Sequence, residues 1–467
     1  EAEAPEQLHN LATLDGIRGF ACFFVFNFHY LFTYTPTSSR GYGIDPSGQT
    51  NAYFHQLPFV RLLYAGRAMV SVFFVLSGYV LSRKPLSAAR SGHYDAQLQS
   101  LSSSIFRRGL RLFLPTIIST FMVFLALRAG GFIKATSIAA DGVTLSFVEH
   151  HPLMYPTLRE QWWDYWRFVS MYVDFTNFNE WYNLYDPHVW TIPLEFRASI
   201  VLFVTLIALS RAKTAWRLGL LCAFISFCIR WSRFECVLFL SGMLISEIDL
   251  INNTWGSKST PSPSILPTIA PISKPSANWP ARLGHATIHQ LLLVLGLFLL
   301  SYPDDYGAYT PGFMTLSTWI PKPYISDVQY RWWQSVGAII SLYAINNTPA
   351  LRRPFVTPLA QYLGKISYAF YLVHGPILHS LGYIVMRRIW EKMGRYQQLP
   401  YEAAPGVVGV KLVANPEFSD AAFAWGLFLG WCVVLPVSIW AADLFWRFVD
   451  IPVVRFARRC ENLVMGK

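Results

Sequence analysis

Residues 14–30 read LDGIRGFACFFVFNFHY. The run is apolar enough for a membrane helix, yet it carries Asp15, Arg18 and His29. Arg18 and His29 stand eleven residues apart. On an α-helix that spacing is about 20° past three full turns, with a rise of about 16.5 Å. The two side chains therefore share one helix face at two depths. Asp15 lies one turn before Arg18, close enough to pair with it. Ionisable groups inside a span are costly and face a polar cavity or a partner. The plainer alternative is that Arg18 snorkels to one interface and His29 sits at the other. The shared face favours a functional pair.

The rest of the chain agrees with a bilayer as solvent. Of 467 residues, 53% are hydrophobic, 16% aromatic and 14% charged. Soluble domains carry about 25% charge, and a disordered chain would be poorer in apolar residues. The mean hydropathy is +0.32. The net charge of +11 is scattered between apolar runs, so nucleic acid is not an expected partner. The expected fold is all-α: a polytopic bundle of about ten spans, near 14–33, 58–82, 110–129, 188–209, 214–231, 234–251, 285–302, 331–347, 362–385 and 420–448. The whole chain, 1–467, reads as one transmembrane domain. Lys and Arg set the orientation. Arg83, Lys84, Arg107, Arg108, Arg211, Lys213, Arg352, Arg353, Arg455, Arg458 and Arg459 fall on one side if ten spans exist. That side, and with it both termini, is expected to be cytoplasmic. Arg387, Arg388, Lys392 and Arg395 run against the rule.

Two connections stand out. Residues 252–284 are rich in Ser and Pro and read as a flexible cytoplasmic linker. Residues 130–187 are long and aromatic, with Trp162, Trp163, Tyr165, Trp166, Trp181, Tyr182 and Tyr185, and are expected on the luminal side. An interfacial belt explains those rings better than stacking on an acceptor. Sequons at Asn252 and Asn346 fall on the cytoplasmic side of this topology, so their glycosylation would contradict it. The six cysteines form no CxxC pair, and the histidines form no HExxH, so neither a disulfide framework nor a metal is expected. The chain begins EAEAPEQ with no basic stretch ahead of a cleavage site, and no signal peptide is expected.

Other spans carry polar residues too. Residues 188–197 place Glu195 inside an apolar run with Pro193 before it. A carboxylate there needs a partner or a proton, and Pro193 would free backbone carbonyls. A structural Glu–Arg pair explains Glu195 equally well. Ser77-Gly78 suits close helix packing. Arg107, Arg108 and Arg111 line the start of the third span, either as topology signal with lipid contact or as a phosphate cradle. His374 and His379 are further intramembrane candidates.

Taken in order, these blocks resemble the membrane acyltransferase 3 family. Its hallmark is an Arg, ten residues, then a His, matched by Arg18 and His29. FFVLSGYVLS (73–82), FRRGLRLFLP (106–115), VWTIPLEF (189–196), LGKISYAFYLVHGPI (363–377) and FVDIPVVR (448–455) resemble later signatures of the family. The chain departs from the pattern at Ile117, where a Tyr is usual, at Thr191, where Ser is usual, and at Asp450, where Glu is usual. Composition and loop sizes resemble a fungal branch.

The resemblance implies an integral membrane O-acyltransferase. It would move an acyl group, mostly acetyl, from acyl-CoA to a hydroxyl of a carbohydrate or small-molecule metabolite. His29 would act as general base or accept the acyl group itself, with Arg18, Asp15 and Glu195 as further catalytic residues. Arg18, Arg107, Arg108, Arg111, Lys84 and Ser77 would receive the donor, and Trp190, Tyr371 and His374 the acceptor. The expected partners are acyl-CoA, the acceptor and the lipid bilayer, with no metal. The expected location is an endomembrane (ER or Golgi) or the plasma membrane. A transporter of acyl groups or small molecules, without chemistry of its own, would use the same intramembrane charges. A membrane-bound O-acyltransferase of the other major type also uses a membrane His, but the Arg-x10-His spacing disfavours it.

Overall fold

The computed structural model describes residues 5–466 apart from 49, 150–151, 177–183, 253–278, 327 and 405–406. The Ser/Pro linker read at 252–284 falls mostly outside the described residues, as do Trp181 and Tyr182. The described chain is mainly helical: α1 (Pro5–Tyr34), α2 (Gly66–Arg90), α3 (Tyr94–Arg128), α4 (Ile133–Ala139), α5 (Leu158–Tyr172), α6 (Thr191–Ala208), α7 (Thr214–Arg230) and α8 (Phe234–Ile251). Then follow α9 (Trp279–Leu300), α10 (Met314–Thr318), α11 (Tyr330–Asn347), α12 (Pro349–Arg352), α13 (Pro358–Ile377), α14 (Tyr383–Lys392), α15 (Asp420–Phe445) and α16 (Ile451–Met465). Two small antiparallel hairpins interrupt the all-α plan. Gly43–Ile44 pairs with Thr50–Asn51, and Tyr396–Ala404 pairs with Val407–Ala414.

Each of the ten expected spans overlaps a helix. Among the described residues, six stretches are long and apolar enough to cross a bilayer: Leu11–Tyr34, Gly66–Arg90, Tyr94–Arg128, Pro187–Ala208, Pro358–Lys392 and Asp420–Met465. The other four runs form α7, α8, α9 and α11, which miss that mark. α8 shows why. It carries three acidic residues, Glu235, Glu247 and Asp249, buried along with its apolar ones, more charge than an unbroken apolar span usually holds.

α1 is wedged between two apolar cores. Leu14, Ile17, Ala21 and Val25 join a core with Phe74, Val75 and Tyr79 of α2, Phe239 and Met243 of α8 and Leu342 of α11. Cys22, Phe26, Tyr30 and Tyr34 join a second with Phe124 of α3, Phe370 of α13 and Val434 of α15. At 100° per residue Arg18 and His29 project between these two stripes, into the seam where the cores meet.

The helices approach closely where side chains are absent. A Cβ on Gly78 would fall 2.1 Å from the carbonyl oxygen of Phe239, and one on Gly242 would fall 2.2 Å from that of Val75. α2 and α8 therefore cross backbone to backbone, which accounts for Gly78 by packing. Pro193 sits in the first turn of α6, where its missing N–H would have no helical partner in any case. It frees no carbonyl deep in the helix, contrary to the expectation above. Asn346 is buried, and its amide donates to Asp249 at 3.1 Å, so that sequon is not presented at the surface.

Candidate active site at the seam of two cores

Two cavities meet along the seam. The first, of about 460 Å³, is lined by Asp15, Arg18, Ser77, Arg107, Arg108, Arg111, Glu195, Lys365, Tyr368 and Asp450, among others. Arg18 pairs with Asp15 at 3.1 Å. Arg108 donates to Glu195 at 2.8 Å, and the Ser77 hydroxyl donates to the same oxygen at 3.2 Å. Arg107 pairs with Glu461 of α16 at 3.0 Å. Five basic and three acidic side chains face this cavity, leaving its wall cationic. Lys84 is exposed and does not line it.

The second cavity, of about 520 Å³, holds His29 with Phe28, Phe32, Arg67, Phe147, Glu149, His188, Trp190, Phe234, Tyr330 and Arg331. Its wall is largely aromatic. The Arg331 guanidinium lies 4.2 Å from the Phe234 ring centre and 5.4 Å from that of Trp190. Val25, Val70, Thr191 and Tyr371 line both cavities. Val25 stands between Arg18 and His29 on the same face of α1, so the helix that carries the two charged groups also forms the partition. Tyr371 and Thr191 are tied to each other at 2.6 Å, and the Tyr371 hydroxyl donates to the His188 carbonyl.

Around His29 the structure gathers residues from four segments. The His29 ring centre lies 4.0 Å from that of His188 and 5.3 Å from that of His374. His188 lies 5.0 Å from His379. His188 belongs to the single turn Pro187–Trp190, which Asp186 caps by accepting from the His188 backbone N–H at 3.1 Å. The same carboxylate oxygen lies 3.0 Å from His188 Nδ1. Glu149, from the connection before α5, reaches His188 Nε2 at 3.2 Å and also contacts His379 Nε2. Burial alone would raise the Glu149 carboxyl, but His188 and His379 outweigh it and hold the group well below the usual carboxylate range. His374 Nδ1 lies 2.7 Å from the Tyr371 carbonyl, which makes it the N–H donor and leaves Nε2 with the lone pair. Gly375 makes room for the group. A Cβ there would fall 2.3 Å from His188 Nδ1 and 2.9 Å from Asp186 Oδ1.

The structure thus divides the expected residues into two sets. Asp15, Arg18, Ser77, Arg107, Arg108, Arg111 and Glu195 face the basic cavity. His29, Trp190 and Tyr371 face the aromatic one, with His374 against the His29 ring. Glu195 is occupied by Arg108 and Ser77, not by His29. The carboxylates near the histidines are Glu149 and Asp186, to which the sequence reading gave no role. Asp186-Pro187-His188 carries a cap signal, an acidic residue before a Pro at the first helical position. Glu149 has no such signal, since its neighbours come from distant segments. Trp162, Trp163 and Trp166 are exposed on α5, while Tyr165, Phe168 and Tyr172 of the same helix are buried. An outward Trp face fits an interfacial belt.

Chemically, the seam offers an imidazole beside an apolar chamber, backed by a cationic chamber on the same helix.

Comparison with known proteins identifies the family. The acyltransferase domain of the acyltransferase 3 family matches residues 11–447. The O-acetyltransferase PaAT-1 of Phomopsis amygdali is 31% identical over 466 residues, covering 97% of this chain and 85% of that protein. An acyltransferase of a Phoma species is 28% identical over 498 residues, covering 98% of this chain and 97% of its own. An acyltransferase of Cochliobolus lunatus is 28% identical over 420 residues, covering 82% and 86%. No solved structure matches. The chain is a multi-pass membrane protein by its apolar helices, and it belongs to the acyltransferase 3 family.

Proposed function

We propose that this protein transfers an acyl group, acetyl in the first instance, from an acyl-coenzyme A to a hydroxyl of a small-molecule acceptor. The observation that carries this reading is the pair of cavities back to back on α1, one basic with Arg18 and one aromatic with His29, sharing Tyr371 and Thr191. Coenzyme A carries several phosphate charges, and the excess of basic side chains in the first cavity suits them. The carboxylates of Asp15 and Glu195 hold two of those bases in place. The donor end of the protein is then the cytoplasmic one, in line with the Lys/Arg bias, and the membrane is an endomembrane or the plasma membrane.

His29 acts as general base. It takes the proton of the acceptor hydroxyl as that oxygen attacks the thioester carbonyl. The new C–O bond forms, the C–S bond breaks, and the proton held by His29 passes to the departing thiolate. His29 Nδ1 is buried without a hydrogen-bond partner. The ring is boxed instead by Phe28, His188 and His374, which fix its position. The aromatic wall, from Phe28, Phe32, Phe147, Trp190 and Phe234, favours an apolar or ring-bearing acceptor over an extended polar glycan.

The test is to substitute His29 by Ala and assay labelled acyl transfer in membranes containing equal amounts of protein. The expected loss is about 10²- to 10⁴-fold. Transfer at the wild-type rate removes His29 from the chemistry. Comparing acetylated metabolites of cells with and without the protein identifies the acceptor.

A further inference from the structure

We propose that Glu149, His188 and His379 form a binding site for one divalent transition-metal ion of the zinc type, set beside His29. Each residue offers one ligand atom, and the three atoms lie within 4.8 Å of one another. The set is His₂Glu, a combination found among zinc sites with three protein ligands and an open fourth position. The expectation of no metal rested on spacing within one helix, whereas these ligands come from three separate segments.

Three features of the geometry point to a shared ion and not only to a hydrogen-bonded cluster, and a fourth, the charge of the site, is compatible with it. First, Glu149 Oε2 and His188 Nε2 are 3.2 Å apart, yet both are buried and neither makes a hydrogen bond of acceptable geometry. Atoms that aim at a common third point stand close together without aiming at each other. Second, His188 Nδ1 rests on Asp186 Oδ1 at 3.0 Å. A carboxylate behind a ligating imidazole fixes its tautomer and turns Nε2 outward, which is the usual support of a metal-bound histidine. Third, His379 sits in the π-helical turn Leu378–Gly382 that joins α13 to α14. Such turns re-aim a side chain and cluster at functional sites. Fourth, the charges balance. Two carboxylates, Glu149 and Asp186, face two imidazoles in a place where those imidazole side chains are 1% and 4% exposed. A divalent cation neutralises both carboxylates, as two protonated imidazoles would, so the charge of the site accepts the ion.

His188 also belongs to a second cluster, with His29 and His374. That set has no carboxylate, so we assign the ion to the Glu149 side. His29 then keeps its own nitrogens for the chemistry proposed above.

The test uses the full chain, purified in detergent with a tag free of histidine, stripped with a chelator and incubated with a small excess of zinc. Metal retained through gel filtration is measured by mass spectrometry. About one zinc per chain is expected for the wild type, together with a higher melting temperature in zinc than in chelator. Glu149→Gln and His379→Asn should each lose the metal and the zinc-dependent part of the melting shift, and Asp186→Asn should weaken zinc binding about 10- to 100-fold. His93→Asn, at an exposed position, should bind like the wild type. The proposal is overturned if the wild type retains no zinc and its melting temperature is unmoved by zinc or chelator. It is equally overturned if Glu149→Gln and His379→Asn keep the metal, or if His93→Asn loses it. The wild-type arms decide the matter even where a ligand variant fails to fold. The readout is bound metal, so the result is independent of whether His29 is the acyl-transfer base.

Discussion

At the scale of single residues, the seam separates two kinds of polar group. Arg108 and Glu195 are a pair, 16% and 19% exposed, on the wall of the basic cavity. Removing one partner of a fully buried pair costs about 3–5 kcal/mol. Here partial exposure reduces that, and Glu195→Gln should cost about 1–3 kcal/mol. The expected outcome is a lower melting temperature in detergent that coenzyme A restores more fully in the variant than in the wild type, because its phosphates replace the lost carboxylate. Equal shifts with coenzyme A in both proteins would show that Arg108 does not meet the donor. At this scale the sequence was legible along α1, where Asp15, Arg18 and His29 share one local helix. It was illegible for Glu149, whose partners His188 and His379 lie far along the chain. A regular helix brings together only residues three or four apart. A caps-and-loops cluster has no period to read.

At the scale of elements, close backbone contact decides which helices pair. Gly78 and Gly242 face each other's helix, with carbonyl oxygens 2.1 and 2.2 Å from where their Cβ atoms would stand. The obstacle is backbone, so no rotamer change relieves it. Gly78→Leu should therefore separate α2 from α8 and cost about 1–3 kcal/mol or more by overpacking. A thermal melt of purified protein checks this, and an unchanged midpoint would mean the two helices are not held at this crossing. The helices themselves were readable, because long apolar runs leave few other options for the backbone in lipid. Among the described residues, six of the ten expected crossings are long and apolar enough to be spans by length and composition. α8 looks like a span by hydropathy, but it buries Glu235, Glu247 and Asp249 against its neighbours. Glu247, for instance, meets Arg90 at 2.9 Å and Arg217 at 3.3 Å. Hydropathy measures what a helix is made of. It does not measure whether lipid or protein surrounds it.

At the scale of the whole molecule, the seam has two ends of opposite character. Arg107 ties α3 to Glu461 of α16 beside the basic cavity, so that cavity lies at the end of the bundle where the last helix rests. The aromatic cavity takes Phe147, Val148, Glu149 and Leu184 from the 130–187 connection, so it lies at the other end. α1 runs between them with Arg18 toward the first and His29 toward the second. In the orientation proposed above from the Lys/Arg bias, the basic end is the cytoplasmic one. This gives a prediction that no single-residue variant can make. Sealed vesicles with their cytoplasmic face outward should use membrane-impermeant acetyl-CoA added outside, without detergent, at close to the rate seen after permeabilisation. Protease added to the same vesicles should remove a C-terminal epitope. If transfer appears only after detergent and the epitope is protected, the basic cavity faces the lumen, and the bias of the connecting loops has been outvoted by Arg387, Arg388, Lys392 and Arg395. If transfer is immediate but the epitope is protected, the donor reaches His29 from the aromatic end, and Arg18 serves only to pair with Asp15.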